Sequence, residues 1–333
     1  MHFLLPLIWG CIIGFVIIMY VVLDGFDLGI GILFPWVQDM HQRDIMMTTV
    51  SPVWDGNETW MVLGGACLYG AFPLAYSTLL PVFYLPIMLM LAALIFRGIA
   101  FEFRFKAQRS RFLWSIAFAG GSIIAAFAQG IILGTFLQGF ANEGDNFTPY
   151  SSPWFSPFSL MAGVAVVTGY ALLGATWLIA KTEGDLQAKM YDAALWCLGG
   201  VTIFLVIVSL WTPFLDPHIK MRWFSLPNFF YLVPLPIVTG LVVLYNWYCL
   251  RKKYEYWPFF LSIAMFLLSY IGLIISIWPY IIPHRISIWE ASSPPSSQLF
   301  ILVGVIILLP ILLSYTAYSY RVFWGKVTKP EEY

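Results

Sequence analysis

Charge is scarce in this chain. Of its 333 residues, 10% are Asp, Glu, Lys or Arg, where a soluble domain carries roughly a quarter. The basic and acidic totals are equal, 17 each, so there is no basic excess to draw a nucleic acid. Histidine is scarcer still. The four are His2, His41, His218 and His284, and all read as terminal or loop residues. A haem within a membrane bundle needs axial His, or His with Met, projecting from helices. Met61, Met88, Met90 and Met265 lie in apolar runs, where methionine is ordinarily core filler. A span-embedded haem is therefore not expected. The four cysteines, Cys11, Cys67, Cys197 and Cys249, stand in apolar runs without CxxC spacing. They read as small buried hydrophobes, neither a disulfide framework nor a haem attachment. No Gly-rich phosphate loop and no metal-spaced cluster appears. The Met-His start has no Lys or Arg, and the first apolar run outlasts a signal-peptide core, so no cleavable leader is expected.

What the chain has in abundance is apolar length. Hydrophobic residues make up 60% and mean hydropathy is +0.82. A membrane span needs about 20 apolar residues. Nine candidates follow, at about 4–34, 59–80, 82–101, 112–140, 158–180, 193–211, 229–250, 258–280 and 299–323. The expected fold is an all-α integral membrane protein, one domain over 1–333. Two four-helix bundles plus a peripheral helix suit that count. Eight spans is the alternative, because only Pro81 and its neighbours divide the second run from the third. With nine spans and the N-terminus outside, thirteen of the 17 basic residues fall on the inner side. Three, Lys220, Arg222 and Arg285, fall outside, and Arg97 lies within a span. That bias predicts N-out, C-in. Gly10/Gly14 and Gly25/Gly29 have the four-residue spacing that lets helix backbones approach.

The first run ends "VVLDGFDLGIGILF" and so carries Asp24 and Asp27 into apolar surroundings. A carboxylate there is costly and is paired or functional. Three residues apart, the two share a helix face. "SPVWDGNETW" then brings Trp54, Asp55, Asn57, Glu58 and Trp60 to the inner side, and "LIFRGIAFEFRFK" brings Arg97 and Glu102. Two readings stand. In one, Asp55 caps a helix and Arg97 neutralises Asp24 or Asp27 in a structural ion pair. In the other, the acids line a proton inlet. A proton-coupled secondary transporter would also use membrane acids. These, however, gather at one end, and no broken-helix pair marks the midplane.

"LDGFDLGIG", "SPVWDGNETW" and "FRGIAFEFR", in this order, resemble subunit II of cytochrome bd-type quinol oxidases, and "ISIWEASSPPSSQ" is similar to the same family. The loops look short, as in its cyanide-insensitive branch. The resemblance implies a subunit of the bacterial inner-membrane oxidase that passes electrons from quinol to oxygen. It implies a haem-bearing partner, subunit I, holding haems b and d, and admits a small single-span subunit and a structural quinone. It assigns Asp27 and Asp55 to proton access and Trp60 to oxygen access; Asp24 and Glu58 join the proton inlet as their neighbours in the acidic cluster. Arg97 and Glu102 match a family arginine and acid and read as an ion pair, with Gly98 where other members carry proline.

Overall fold

The computed structural model describes residues 3–139, 153–283 and 285–329. Helices dominate. The first, α1 (Leu4–Leu33), runs unbroken for 30 residues, about 45 Å at the α-helical rise. A 3₁₀ turn over Phe34–Trp36 leads to α2 (Met40–Thr48), which Asp39 caps by accepting from the His41 and Gln42 amides. Then come α3 (Trp54–Ala71), α4 (Pro73–Val82), α5 (Tyr84–Lys106), α6 (Arg111–Gln138) and α7 (Pro157–Lys181). The second half holds α8 (Gly184–Leu215), α9 (Pro217–Phe224), α10 (Asn228–Leu232), α11 (Pro234–Arg251), α12 (Trp257–Ile277) and α13 (Pro295–Val322). Two short antiparallel strands, β1 (Tyr280–Ile282) and β2 (Ile286–Ser287), are the exception to an all-α chain.

Eight helical stretches among the described residues are long and apolar enough to cross a membrane. The expected span 59–80 is not one of them. It is broken at Phe72–Pro73 into α3 and α4. Proline lacks an amide donor and disfavours the α conformation in the residue before it, and Phe72 indeed sits at φ −131°, ψ 64°. Helix α3 lies antiparallel to α1. Its start meets α1 near Asp27, and Gly64 lies against Val16. The Ala71 carbonyl accepts from the Ser293 amide, close to Trp289, which donates to the Phe3 carbonyl. Stretches between the expected spans are also helical in part, as α2 and α9, and α8 begins nine residues before the span expected at 193.

The last ten residues of α1, Asp24 to Leu33, are all buried. Glycine makes this sheath possible. A Cβ on Gly29 would overlap the Tyr170 carbonyl, and one on Gly174 would overlap the Gly29 backbone, so α1 and α7 cross backbone to backbone. One apolar cluster packs this end of α1 against α5 to α8, and a second packs its Phe3 half against α3, α4, the hairpin and α13. Cys67, Cys197 and Cys249 are buried as expected, but Cys11 is exposed. His41 and His218 are on α2 and α9; His2 and His284 lie outside the described residues.

Candidate functional site

The buried end of α1 carries the acids. Asp24 and Asp27 are 0% and 1% exposed. Position 24 faces α5, where the Arg97 Nη1 donates to its Oδ1 at 2.6 Å. Arg97, itself 0% exposed, donates through Nη2 to Glu58 Oε1 of α3 at 2.7 Å. One guanidinium thus joins two carboxylates on two helices, the fork geometry that suits arginine to the role. Asp27 has a different partner. The Asn57 amide donates to its Oδ2 at 2.7 Å and to the Leu23 carbonyl at 3.3 Å. Tyr320 of α13 donates to the Asn57 Oδ1 at 3.0 Å. Asp24 Oδ2, Asp27 Oδ1 and Arg97 Nε have no hydrogen-bond partner among the described residues.

The cluster is graded in exposure. Asp55, in the first turn of α3, is exposed. Glu58, one turn further on, has its side chain 22% exposed. Asp24 and Asp27 are sealed. The capping alternative for Asp55 does not hold, because Val53 is the N-cap of α3 and no side chain caps that end. Asp55 still lies where a helix N-terminus favours an anion. Arg97 chooses between the two α1 acids in favour of Asp24.

Glu102 does not join the cluster. Five residues beyond Arg97, it lies about 140° around α5, and its side chain is 69% exposed beside Lys106 at 3.6 Å. The residue that shares the Arg97 face is Arg104, seven positions on. It is 0% exposed and donates to Asp44 Oδ1 at 2.7 Å and to the Ser115 hydroxyl at 3.0 Å. Arg104, counted from the sequence among the basic residues of the inner side, is therefore a buried residue of the bundle. The i,i+7 spacing of the two arginines was the available signal.

Trp54 lies flat on Phe101, 5.0 Å between centroids, with the Arg97 guanidinium 5.9 Å from its ring. Gly98 allows this, since a Cβ there would stand 3.2 Å from the indole. Trp60 is 1% exposed, packed edge-on to Phe15 at 6.0 Å. It is a core residue of the α1–α3 seam and not an interfacial anchor. Five residues further along α3, Gly65 is exposed, with nothing within 4 Å of where a Cβ would stand. Toward the middle of the bundle, one turn back along α1 from Asp24, Tyr20 accepts from Gln129 at 2.8 Å, and Gln129 accepts from Tyr170 at 2.6 Å. No motif announced this chain across α1, α6 and α7.

Comparison with known proteins agrees with the sequence motifs. The family model described as cytochrome bd terminal oxidase subunit II matches residues 5–323. The chain is 26% identical to cytochrome bd-I ubiquinol oxidase subunit 2 of Escherichia coli K12, covering 98% of this chain and 96% of that one. It is 25% identical to cytochrome bd ubiquinol oxidase subunit 2 of Bacillus subtilis, covering 97% of each. In fold it is similar to a chain of the bd oxidase from Geobacillus thermodenitrificans, with TM-score 0.81, 16% identity, and coverage of 96% and 98%.

Proposed function

Because this chain belongs to the cytochrome bd terminal oxidase subunit II family, we propose that its buried acid cluster is the proton entrance of the oxidase. The chain is a multi-pass protein of the bacterial inner membrane and part of an oxidoreductase complex. Reduction of oxygen to water consumes protons, and hydrocarbon does not conduct them. The observation that carries the reading is the gradient from exposed Asp55, through half-open Glu58, to the sealed Asp24 and Asp27. Consecutive acids are one helical turn apart or share Arg97. Two carboxylates, Asp24 and Glu58, bond one guanidinium, and Asp27 bonds the Asn57 amide. Asp27, which has an amide partner and no cation, is the member free to exchange a proton without breaking the ion pair. Arg97 holds Asp24 and Glu58 in register.

Several finer parts belong to the same proposal. This chain binds no haem itself, and haems b and d reside in subunit I. The exposed positions of His41 and His218, off the long apolar helices, support that division. The topology is N-out, C-in with α3 as a ninth crossing, supported by its antiparallel course from Asp27 to the level of Phe3. The two-bundle grouping leaves α13 peripheral, in line with its having only Gln298 and Val305 buried. A structural quinone ring has one apolar cleft of about 190 Å³ to suit it, between Phe26, Trp177, Phe259 and Tyr320. Trp60, buried in the seam between α1 and α3, is assigned to oxygen access in the same proposal. A small single-span subunit completes the expected assembly.

Glu58→Gln and Asp55→Asn in the intact complex test the entrance. Each keeps shape and removes titration. Loss of a positioned proton carrier lowers rates by about 10²-fold or more, so turnover and proton uptake should fall together in Glu58→Gln, with a smaller fall for exposed Asp55. A fully assembled Glu58→Gln complex that oxidises quinol at the normal rate refutes the entrance.

A further inference from the structure

A second charged site lies at the same end of the bundle and takes no part in the proton entrance. Two guanidiniums bond one carboxylate, and a third shares an aromatic ring with one of them. Arg104 and Arg111 both bond Asp44, Arg104 at 2.7 Å and Arg111 through both carboxylate oxygens. Arg43 is tethered through Nε to the Val37 carbonyl at 2.5 Å. Its guanidinium lies 5.2 Å from the Phe34 ring, and that of Arg104 lies 5.0 Å from the same ring. Asp44 can balance one of the three. No other carboxylate bonds any of them among the described residues. Buried Arg104 Nη2 and Arg111 Nε lack acceptors there as well. An excess of cation around a buried arginine is costly unless an anion completes it.

The surroundings indicate which anion. The Arg111 side chain is 32% exposed, so the site opens outward. Within a turn and a half of Arg104 or Arg111, Phe103, Phe112, Leu113 and Ile116 expose 54%, 68%, 64% and 52% of their surface. The open cations thus sit beside uncovered aromatic and aliphatic surface at a span end. A free phosphate uses only the first feature. A phospholipid uses both, its phosphate on the guanidinium forks and its acyl chains along the apolar side chains. We propose that Arg43, Arg104 and Arg111 form a headgroup site for an anionic phospholipid, held at the α2–α5–α6 corner.

The test is made on the purified complex, washed in mild detergent. Lipid extraction and mass spectrometry count retained phosphatidylglycerol and cardiolipin against phosphatidylethanolamine. Variants are Arg43→Gln, Arg111→Gln and the pair, with Asp44→Asn as a change of opposite sign. Each arginine near an anionic headgroup contributes enough for about fivefold in affinity. The pair should therefore lose its retained anionic lipid and rebind phosphatidylglycerol vesicles about thirtyfold more weakly. Asp44→Asn should bind them more tightly, a direction that misfolding does not produce. Unchanged anionic lipid in the pair overturns the site. So does equal retention of phosphatidylethanolamine. Stabilisation by inorganic phosphate alone, equal to that by phosphatidylglycerol, identifies a free-anion site and overturns the lipid. Loss of the partner subunit with lipid unchanged assigns the arginines to a protein contact and overturns it too.

Discussion

The Asp24–Arg97 pair lends itself to a double-mutant cycle. Both side chains are 0% exposed and 2.6 Å apart. Asp24→Asn removes the charge but keeps the shape, leaving Arg97 with Glu58, whose side chain is 22% exposed. Breaking a buried pair from one side costs about 3–5 kcal/mol, because the remaining charge stays buried and uncompensated. Glu58 retains part of the balance here, so the lower end, about 3 kcal/mol, is the expected loss. Arg97→Gln strands both Asp24 and Glu58 and should cost more. The double variant Asp24→Asn/Arg97→Gln removes charge from both sides and should recover part of the loss, with a coupling of about 2 kcal/mol. Membrane complexes unfold irreversibly, so the readout is kinetic. The fraction of purified complex still monodisperse is followed over time at one elevated temperature. If the whole loss falls on the unfolding barrier, 3 kcal/mol shortens the half-life on the order of a hundredfold. A coupling under about 0.5 kcal/mol would be the value of an exposed pair and would refute the view of Arg97 as the organiser of the cluster.

Three further outcomes follow from the geometry. Gly29→Ala should prevent normal assembly or cost about 1–3 kcal/mol by overpacking, since the new Cβ meets the Tyr170 carbonyl and the Gly174 backbone; an unchanged melting profile would show that α1 and α7 do not cross there. Trp60→Ala deletes a 1%-exposed side chain and should cost about 3–5 kcal/mol; unchanged oxygen-binding kinetics in an assembled complex would exclude the residue from gas access. The segment after α13 should loosen in acid. A hydrogen bond from Lys326 at 2.8 Å, opposed in part by burial and helped by Gln187, holds the Glu255 carboxyl below its usual 4.5. A depressed acid stabilises the fold above its unfolded pKa and ceases to do so as pH falls through the folded value. Hydrogen exchange at residues 323–329 should therefore rise below pH 4.5 in the native chain, and already at neutral pH in Glu255→Gln. A flat profile through that range would discount the Lys326 contact.

Membrane character, the general course of the long helices and the family were legible in the sequence, because each depends on local properties. Apolar length marks a span wherever the helix later packs. The motif around Asp24, Asp27, Asp55 and Glu58 is contiguous enough to be recognised in one dimension. Asp24 and Asp27 lie near the end of α1 where a fixed rise per residue puts them. Pairing was not legible. Whether Arg97 meets Asp24 or Asp27 depends on how α5 rotates against α1, and two residues three apart on one face differ there by about 60°. Asn57 and Tyr320, 263 residues apart in sequence, complete the Asp27 site from two helices, and neither residue type announces such a role. Arg104 counted among the basic residues of the inner side because composition carries no depth; only the packing of α5 and α6 over Asp44 buries it. The sequence alone thus determined that carboxylates lie in a membrane bundle of this family. The tertiary structure decided which carboxylate holds the cation, which one has only an amide, and which stands open to water, since those depend on side-chain direction across helices that the chain order does not encode.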